Sequence, residues 1–176
     1  MSYKLRELLL FTGLALLLFV VLNYFIGAVA VDGSSMYPTL QSGDLLVSLK
    51  TFDAHRGDVV IFEPLSGSTN NLVKRVIAVP GDKLKILNGE VWLDDQKLNE
   101  DYLSEKWTEE TTWNTGQSAV MQEGKYFLMG DNRNHSDDSR NLGPQDRSRF
   151  LGKAMVKIWP LTEIGIITPD SQTQNP

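Results

Sequence analysis

From Leu8 to Val31 no residue carries a charge, a run of 24 positions dominated by Leu, Phe and Val. At 1.5 Å rise per residue, about 20 such residues cross the hydrocarbon layer of a membrane. No polar face interrupts the run, which argues against a core helix and predicts a membrane anchor. A cleavable signal peptide is the competing reading, because Gly27-Ala28-Val29-Ala30 ends in an A-x-A-like pattern. The apolar core of a signal peptide is about 7–15 residues, however, and this run is longer. Lys4 and Arg6 precede the run, so the positive-inside rule places the N-terminus in the cytoplasm and the body across the membrane.

The body is acidic. The first 30 residues hold only Lys4, Arg6 and Glu7, so of 17 basic and 22 acidic residues, 15 and 21 lie beyond them. The resulting charge of −6 speaks against nucleic acid as a partner, since phosphates need a basic face. Apolar residues make up 41% of the 176, enough for a core. The absence of cysteine excludes disulfides, thiolate metal sites and thiol nucleophiles. With His55 and His135 as the only histidines, a multi-histidine metal centre is not expected.

Beyond the anchor the pattern is short strands with turn punctuation. Residues 44–50 (DLLVSLK), 58–62 (DVVIF) and 72–79 (LVKRVIAV) read as strands, and Pro80-Gly81-Asp82 as a turn. Residues 83–87 and 90–93 flank Asn88-Gly89, a strong hairpin signal. Residues 125–129 and 150–159 supply later strands. Residues 94–124, acidic and carrying Trp107 and Trp113, read as an elaboration on the β core, and 169–176 as a loose polar tail. The class predicted is all-β.

Three segments carry polar groups that strand packing does not call for. The first is Val31–Leu40, where Gly33 and Pro38 bracket Ser34 and Ser35 at the mouth of the apolar run. The second is Lys74-Arg75 inside an apolar strand. With a two-residue period, Lys74 shares a face with Leu72, Val76 and Ala78, while Arg75 shares the other with Val73 and Ile77, so one cation must sit on an apolar face. The third is the polar loop Gly130–Arg140. Plainer readings exist for each: a turn, an edge-strand gatekeeper lysine, a polar loop with the chance sequon Asn134-His135-Ser136. The loop lacks the acidic spacing of an EF-hand. Two catalytic arrangements fit on paper: a triad of Ser35, His135 and Asp138, or a dyad in which a desolvated, neutral lysine serves as base.

The boxes Gly33-Ser34-Ser35-Met36-Tyr37-Pro38-Thr39-Leu40, Arg56-Gly57-Asp58-Val59-Val60, Lys74–Asp82 and Gly130–Arg140 stand in an order that resembles the bacterial type I signal peptidases, over nearly the whole chain. The resemblance implies a serine endopeptidase that removes signal peptides from exported preproteins and uses no cofactor or metal. By motif position it implies Ser35 as nucleophile, Lys74 as general base, Ser136 as hydrogen-bond partner of the lysine amine, and Asp138 with Arg140 as a bracing pair. Where some members carry a hydroxyl two residues before the nucleophile, this chain has Gly33, so the oxyanion hole must rest on main-chain N–H groups, that of Ser35 among them.

The implied fold is a coiled, mixed or antiparallel β core over residues 32–168 with an inserted β lobe at about 84–124, behind an N-terminal tip and anchor at 1–31. The implied partners are preproteins with small residues at the first and third positions before the cut, the lipid bilayer, and the secretion machinery without a stable complex. The implied place is the bacterial plasma membrane or an internal membrane such as a thylakoid. Self-cleaving transcriptional repressors resemble the same family in dyad and core, but they are soluble and need a DNA-binding domain. A membrane-anchored β module without activity is the non-enzymatic alternative.

Overall fold

A computed structural model describes residues 2–63, 71–107 and 112–168; the tail expected at 169–176 lies outside the described residues. The apolar run divides between two elements. Helix α1 (Tyr3–Phe25) is long and apolar enough to cross a membrane, and none of its residues is buried against the body. Its one interior amide, Asn23, donates to the Phe19 carbonyl at 2.9 Å and so stays satisfied within the helix. The chain then becomes strand β1 (Ile26–Ala30), where β-branched Ile26 and Val29 suit a strand better than a helix. Lys50 fixes the break: its ammonium donates to the Asn23 carbonyl at 2.7 Å and its N–H to that of Phe25 at 2.8 Å. A cation on the last carbonyls is where the helix dipole favours one.

Strands β2 (Leu45–Leu49), β3 (Val59–Phe62) and β4 (Leu72–Ala78) follow, then β5 (Lys83–Leu87), β6 (Glu90–Leu93), β7 (Gln96–Lys97) and β8 (Ala119–Val120). The chain ends through β9 (Lys125–Met129), helix α2 (Ser139–Leu142), β10 (Gln145–Asp146), β11 (Phe150–Trp159) and β12 (Gly165–Ile166). One sheet runs β1-β2-β11-β3-β4-β9-β10 with β12 on β11, and a second runs β7-β6-β5-β8. Every ladder between described strands is antiparallel. Register shifts interrupt β11 on both of its edges and β4 beside β9. Such bulges add twist and curl the larger sheet. The β5–β6 hairpin turns at Asn88-Gly89 with both φ positive (53° and 72°), the geometry that dipeptide signals.

Three apolar clusters hold this together. Met36 and Leu40 of the serine-bearing loop sink into a cluster with Val31, Leu46, Val59, Ile61 and Val73. Val60, Phe62, Val76, Leu128 and Phe150 form a second. The third joins Ile77, Phe127 and Met129 of the large sheet to Leu84, Ile86, Val91 and Leu93 of the small one, and Trp107 is buried within it. The described residues between 94 and 124, a stretch read from sequence as an addition to the β core, therefore complete the second sheet through β7 and β8 and supply Leu98, Trp107 and Met121 to the core between the sheets.

The small residues of the A-x-A-like stretch have a packing reason. Gly27 lies opposite Ser48 of β2, and a Cβ on it would meet Ser48 Oγ at 2.8 Å; on the other side Gly152 of β11 leaves Ser48 equally little room, with Oγ at 3.0 Å. The three strands approach closely around a serine. Gly27→Val is therefore expected to lower stability by about 1–3 kcal/mol, the range for overpacking, and Ser48→Ala to restore part of the loss, as read by thermal melting of the detergent-solubilised protein.

Candidate active site

The serine loop leaves β1 and returns to β2 under tight constraint. Val31 N–H donates to the Asp44 carbonyl at 2.8 Å, Gly43 N–H to the Val31 carbonyl at 2.9 Å, and Leu40 N–H to that of Met36 at 2.9 Å. The Asp44 carboxylate accepts from Gln41 N–H at 2.9 Å. With Met36 and Leu40 packed inward, Ser34 is left exposed and Ser35 half-buried.

Ser35 Oγ lies 2.7 Å from the Lys74 amine. Lys74 is 2% exposed, in the middle of β4, and its remaining contact is the Val73 carbonyl at 3.1 Å. Burial lowers its pKa to about 8, against the raising influence of Asp138, Asp137 and Asp131 and with help from Arg140. An amine with that pKa holds a substantial neutral fraction near physiological pH and can accept the proton of a hydroxyl in contact with it.

Arg75, the other cation of the pair, is buried as well. The sequence requires only one of the two to face apolar surroundings; the structure encloses both, because β4 is interior and covered on both faces. Arg75 is compensated by a bidentate bond to Asp131, at 2.8 and 2.6 Å, and by the Gly57 carbonyl at 2.9 Å. The Asp131 carboxylate also accepts from Thr39 of the serine loop at 2.5 Å.

The loop Gly130–Arg140 clasps the serine loop from the other side. Asn132 N–H donates to the Ser35 carbonyl at 3.0 Å and its side-chain amide to the Ser34 carbonyl at 3.1 Å; Tyr37 N–H adds a bond to Ser34 O at 3.1 Å. In a planar trans peptide the N–H points opposite to the preceding C=O. Holding both carbonyls toward Asn132 thus directs the N–H groups of Ser35 and Met36 away from it, and no hydrogen bond among the described residues takes the Ser35 N–H. Gly130 has no room for a side chain: a Cβ there would overlap the Ser35 carbonyl oxygen and Ser136 Oγ.

Asp138 is fully buried. Both its oxygens bind the Arg140 guanidinium at 2.9 Å, and Gly130 N–H donates to it at 2.9 Å. Burial alone would raise its pKa, but Arg140 and the Gly130 N–H outweigh that and hold the carboxyl below its ordinary value. Asp138 also caps α2 by accepting from Arg140 N–H at 3.1 Å.

The structure thus brings Ser35, Lys74, Ser136, Asp138 and Arg140 into one neighbourhood. Ser136 Oγ is buried against Gly130 and makes no hydrogen bond to the Lys74 amine. His135 is exposed, and the Asp138 oxygens are taken by Arg140 and backbone N–H groups, so the triad drawn from sequence is not assembled. Sequence reasoning missed the roles of Asp131 and Asn132 although both lie in a quoted motif, because their partners stand 56–98 positions away in the chain. It had no signal for Glu100, Tyr102 and Trp107, which cover the buried arginines from the small lobe.

The chain is similar to proteins of one family. The family model described as "Signal peptidase, peptidase S26" matches residues 5–159. A Staphylococcus aureus signal peptidase IB is 31% identical over 176 residues, covering 90% of this chain and 91% of that protein. A probable signal peptidase I-2 of Synechocystis is 32% identical over 153 residues, covering 82% of this chain and 68% of that protein. Among solved structures, a signal peptidase I from Enterococcus faecalis is 28% identical with a TM-score of 0.48, covering 58% of this chain and 97% of that one. With the family pattern running through nearly the whole body and its serine and lysine in contact at the centre, the chain belongs to the signal peptidase family S26, a family of serine endopeptidases.

Proposed function

We propose that this protein cuts N-terminal signal peptides from exported preproteins after A-x-A-like sites, with Ser35 as nucleophile and Lys74 as general base. The observation that carries the reading is the 2.7 Å contact between Ser35 Oγ and a buried amine whose pKa burial lowers to about 8. In the forward step neutral Lys74 takes the hydroxyl proton as Ser35 Oγ bonds to the scissile carbonyl carbon. The charge that forms on the carbonyl oxygen is met by main-chain N–H groups, that of Ser35 first among them. Collapse breaks the C–N bond, the Lys74 ammonium returns its proton to the leaving amine, and an acyl-enzyme remains. Lys74, neutral again, activates water for hydrolysis. Ser136, packed against Gly130 beside Ser35, is the group that steadies the amine once the Ser35 oxygen is acylated.

Helix α1 would hold the enzyme in the plasma membrane or an internal one, N-terminus in the cytoplasm and body outside it. Anchoring enzyme and membrane-borne substrate in one plane raises their effective concentration without a stable complex with the secretion machinery. Helix α1 and the residues before it would then act as tip and anchor, while Ile26–Ala30, expected from the sequence to belong to the anchor, pairs with β2 and joins the catalytic part that runs on to residue 168.

Ser35→Ala, Lys74→Ala and Lys74→Arg should each remove turnover of a preprotein in detergent, the last because a guanidinium does not lose its proton. Ser34→Ala and His135→Ala should keep most of it. A dead His135→Ala enzyme beside an active Lys74→Arg one would overturn the dyad. The sign of the pH dependence follows from the base: activity rises with pH, because the neutral amine is the competent form, and kcat/KM should fall about tenfold per unit below its pKa. A flat profile from pH 6 to 9 would contradict a lysine base.

Asp138→Asn removes the bidentate carboxylate that the buried Arg140 guanidinium binds. Breaking a buried pair costs about 3–5 kcal/mol, so melting temperature and activity should fall together; an unchanged pair of values would contradict the bracing role. For topology, protease added to intact spheroplasts should digest the region after α1, and complete protection would reverse the orientation.

A further inference from the structure

Two aromatic side chains of the small lobe, outside every motif that marks the family, lie among the three buried arginines of the site. The Arg75 guanidinium stands 4.3 Å from the centre of the Tyr102 ring and that of Arg133 5.8 Å from it. Arg133 and Arg140 stand 5.4 and 5.2 Å from the Trp107 ring. Cation and ring thus alternate in the order Arg75, Tyr102, Arg133, Trp107, Arg140. Such contacts gain strength when desolvated, as here, where all three arginines and Trp107 are 4% exposed or less.

Each arginine of the row is bonded to the loop that clasps Ser35. Arg75 holds Asp131, whose chain neighbour Asn132 binds the Ser34 and Ser35 carbonyls. Arg133 donates to the Gly130 carbonyl at 3.0 Å, and Arg140 holds Asp138, which accepts from Gly130 N–H. The Tyr102 hydroxyl adds a fixed point, accepting from Arg133 at 2.9 Å and donating to Glu100 at 2.8 Å. The row therefore ties residues 100–107 of the lobe to the segment that sets where Ser35 sits relative to Lys74.

We propose that Tyr102 and Trp107 are positioning residues for peptide cleavage, their rings spacing Arg75, Arg133 and Arg140 so that the Gly130–Arg140 loop holds Ser35 Oγ against the Lys74 amine. The small lobe is then part of the catalytic apparatus without touching substrate. The proposal rests on the serine–lysine reading above and extends it to a lobe that sequence motifs leave silent.

Trp107 also packs in the core between the sheets, so loss of stability alone would not distinguish a positioning role. The pH profile does. The Lys74 amine faces Ser35 Oγ and the Val73 carbonyl, with Asp138, Asp137 and Asp131 favouring its charged form and burial and Arg140 opposing it. If a ring is lost and the arginine row relaxes, water reaches the amine, the ammonium gains, and the acid limb of the profile moves to higher pH.

The test uses the full chain in detergent micelles, cleaving a preprotein with an A-x-A site, with kcat, KM and melting temperature measured from pH 6 to 10 for wild type, Trp107→Phe, Trp107→Leu, Tyr102→Phe and Tyr102→Leu. The two Leu variants are expected to lose at least about tenfold in kcat with KM within about twofold, and to shift the acid limb upward by about half a unit or more. The two Phe variants, which keep a ring, are expected to retain the wild-type limb. Leu variants folded at the assay temperature with wild-type kcat and limb would overturn the proposal, as would a rate loss matched by the unfolded fraction with the limb unmoved. If Trp107→Leu does not fold, Tyr102→Leu gives the decision. A wild type that cleaves with its Ser35→Ala control inactive keeps a failure of the Leu predictions separate from a failure of the serine–lysine reading; a wild type that does not cleave removes both.

Discussion

Keeping one amine out of water is the constraint on which the rest of the site depends. An exposed lysine would hold its proton throughout the physiological range, and Ser35 would face an ammonium, which cannot take a second proton. Three carboxylates near Lys74 favour the charged form, and burial prevails over them. It can do so because two of those carboxylates are matched to guanidinium groups: Asp131 to Arg75 and Asp138 to Arg140. Their fields at the amine are offset by a positive charge close at hand, and desolvation is left as the largest influence.

The same two pairs account for the rigidity of the loops. A buried ion pair is no guarantee of stability, since taking two charges out of water offsets much of their attraction. Geometry is what the pairs provide. Bidentate bonds fix Asp131 and Asp138, these fix Thr39 and Gly130, and Gly130 and Asn132 fix the Ser35 peptide. A misplacement of the nucleophile by an ångström costs orders of magnitude in rate, so a chain of directional bonds suits this site better than apolar packing of the same volume.

The junction between helix and sheet also bears on function. The apolar run passes into β1 without a linker, and β1 pairs with β2 on the edge of the large sheet, with Lys50 bonded to the end of α1. The serine loop begins immediately after β1. Ser35 therefore stands only a short length of chain from the end of the helix.

Much of this was legible in the sequence, and for a common reason. The strands at 83–87, 90–93, 125–129 and 150–159, the Asn88-Gly89 turn and the apolar run are local patterns of period, propensity and turn chemistry, which neighbouring residues settle among themselves. Ser35 and Lys74 were legible because their motifs are short and contiguous. The break of the apolar run at Phe25 was not, since Ile26–Ala30 is as apolar as what precedes it and becomes a strand only by pairing with Leu45–Leu49. Nor was the burial of both Lys74 and Arg75, which follows from β4 being interior to a curled sheet whose neighbours come from distant parts of the chain. The contact of Ser35 with an enclosed Lys74 amine, and the placing of Tyr102 and Trp107 among three arginines, were decided by tertiary structure. Contact distance and exclusion of water belong to the folded assembly, and no local stretch of sequence contains them.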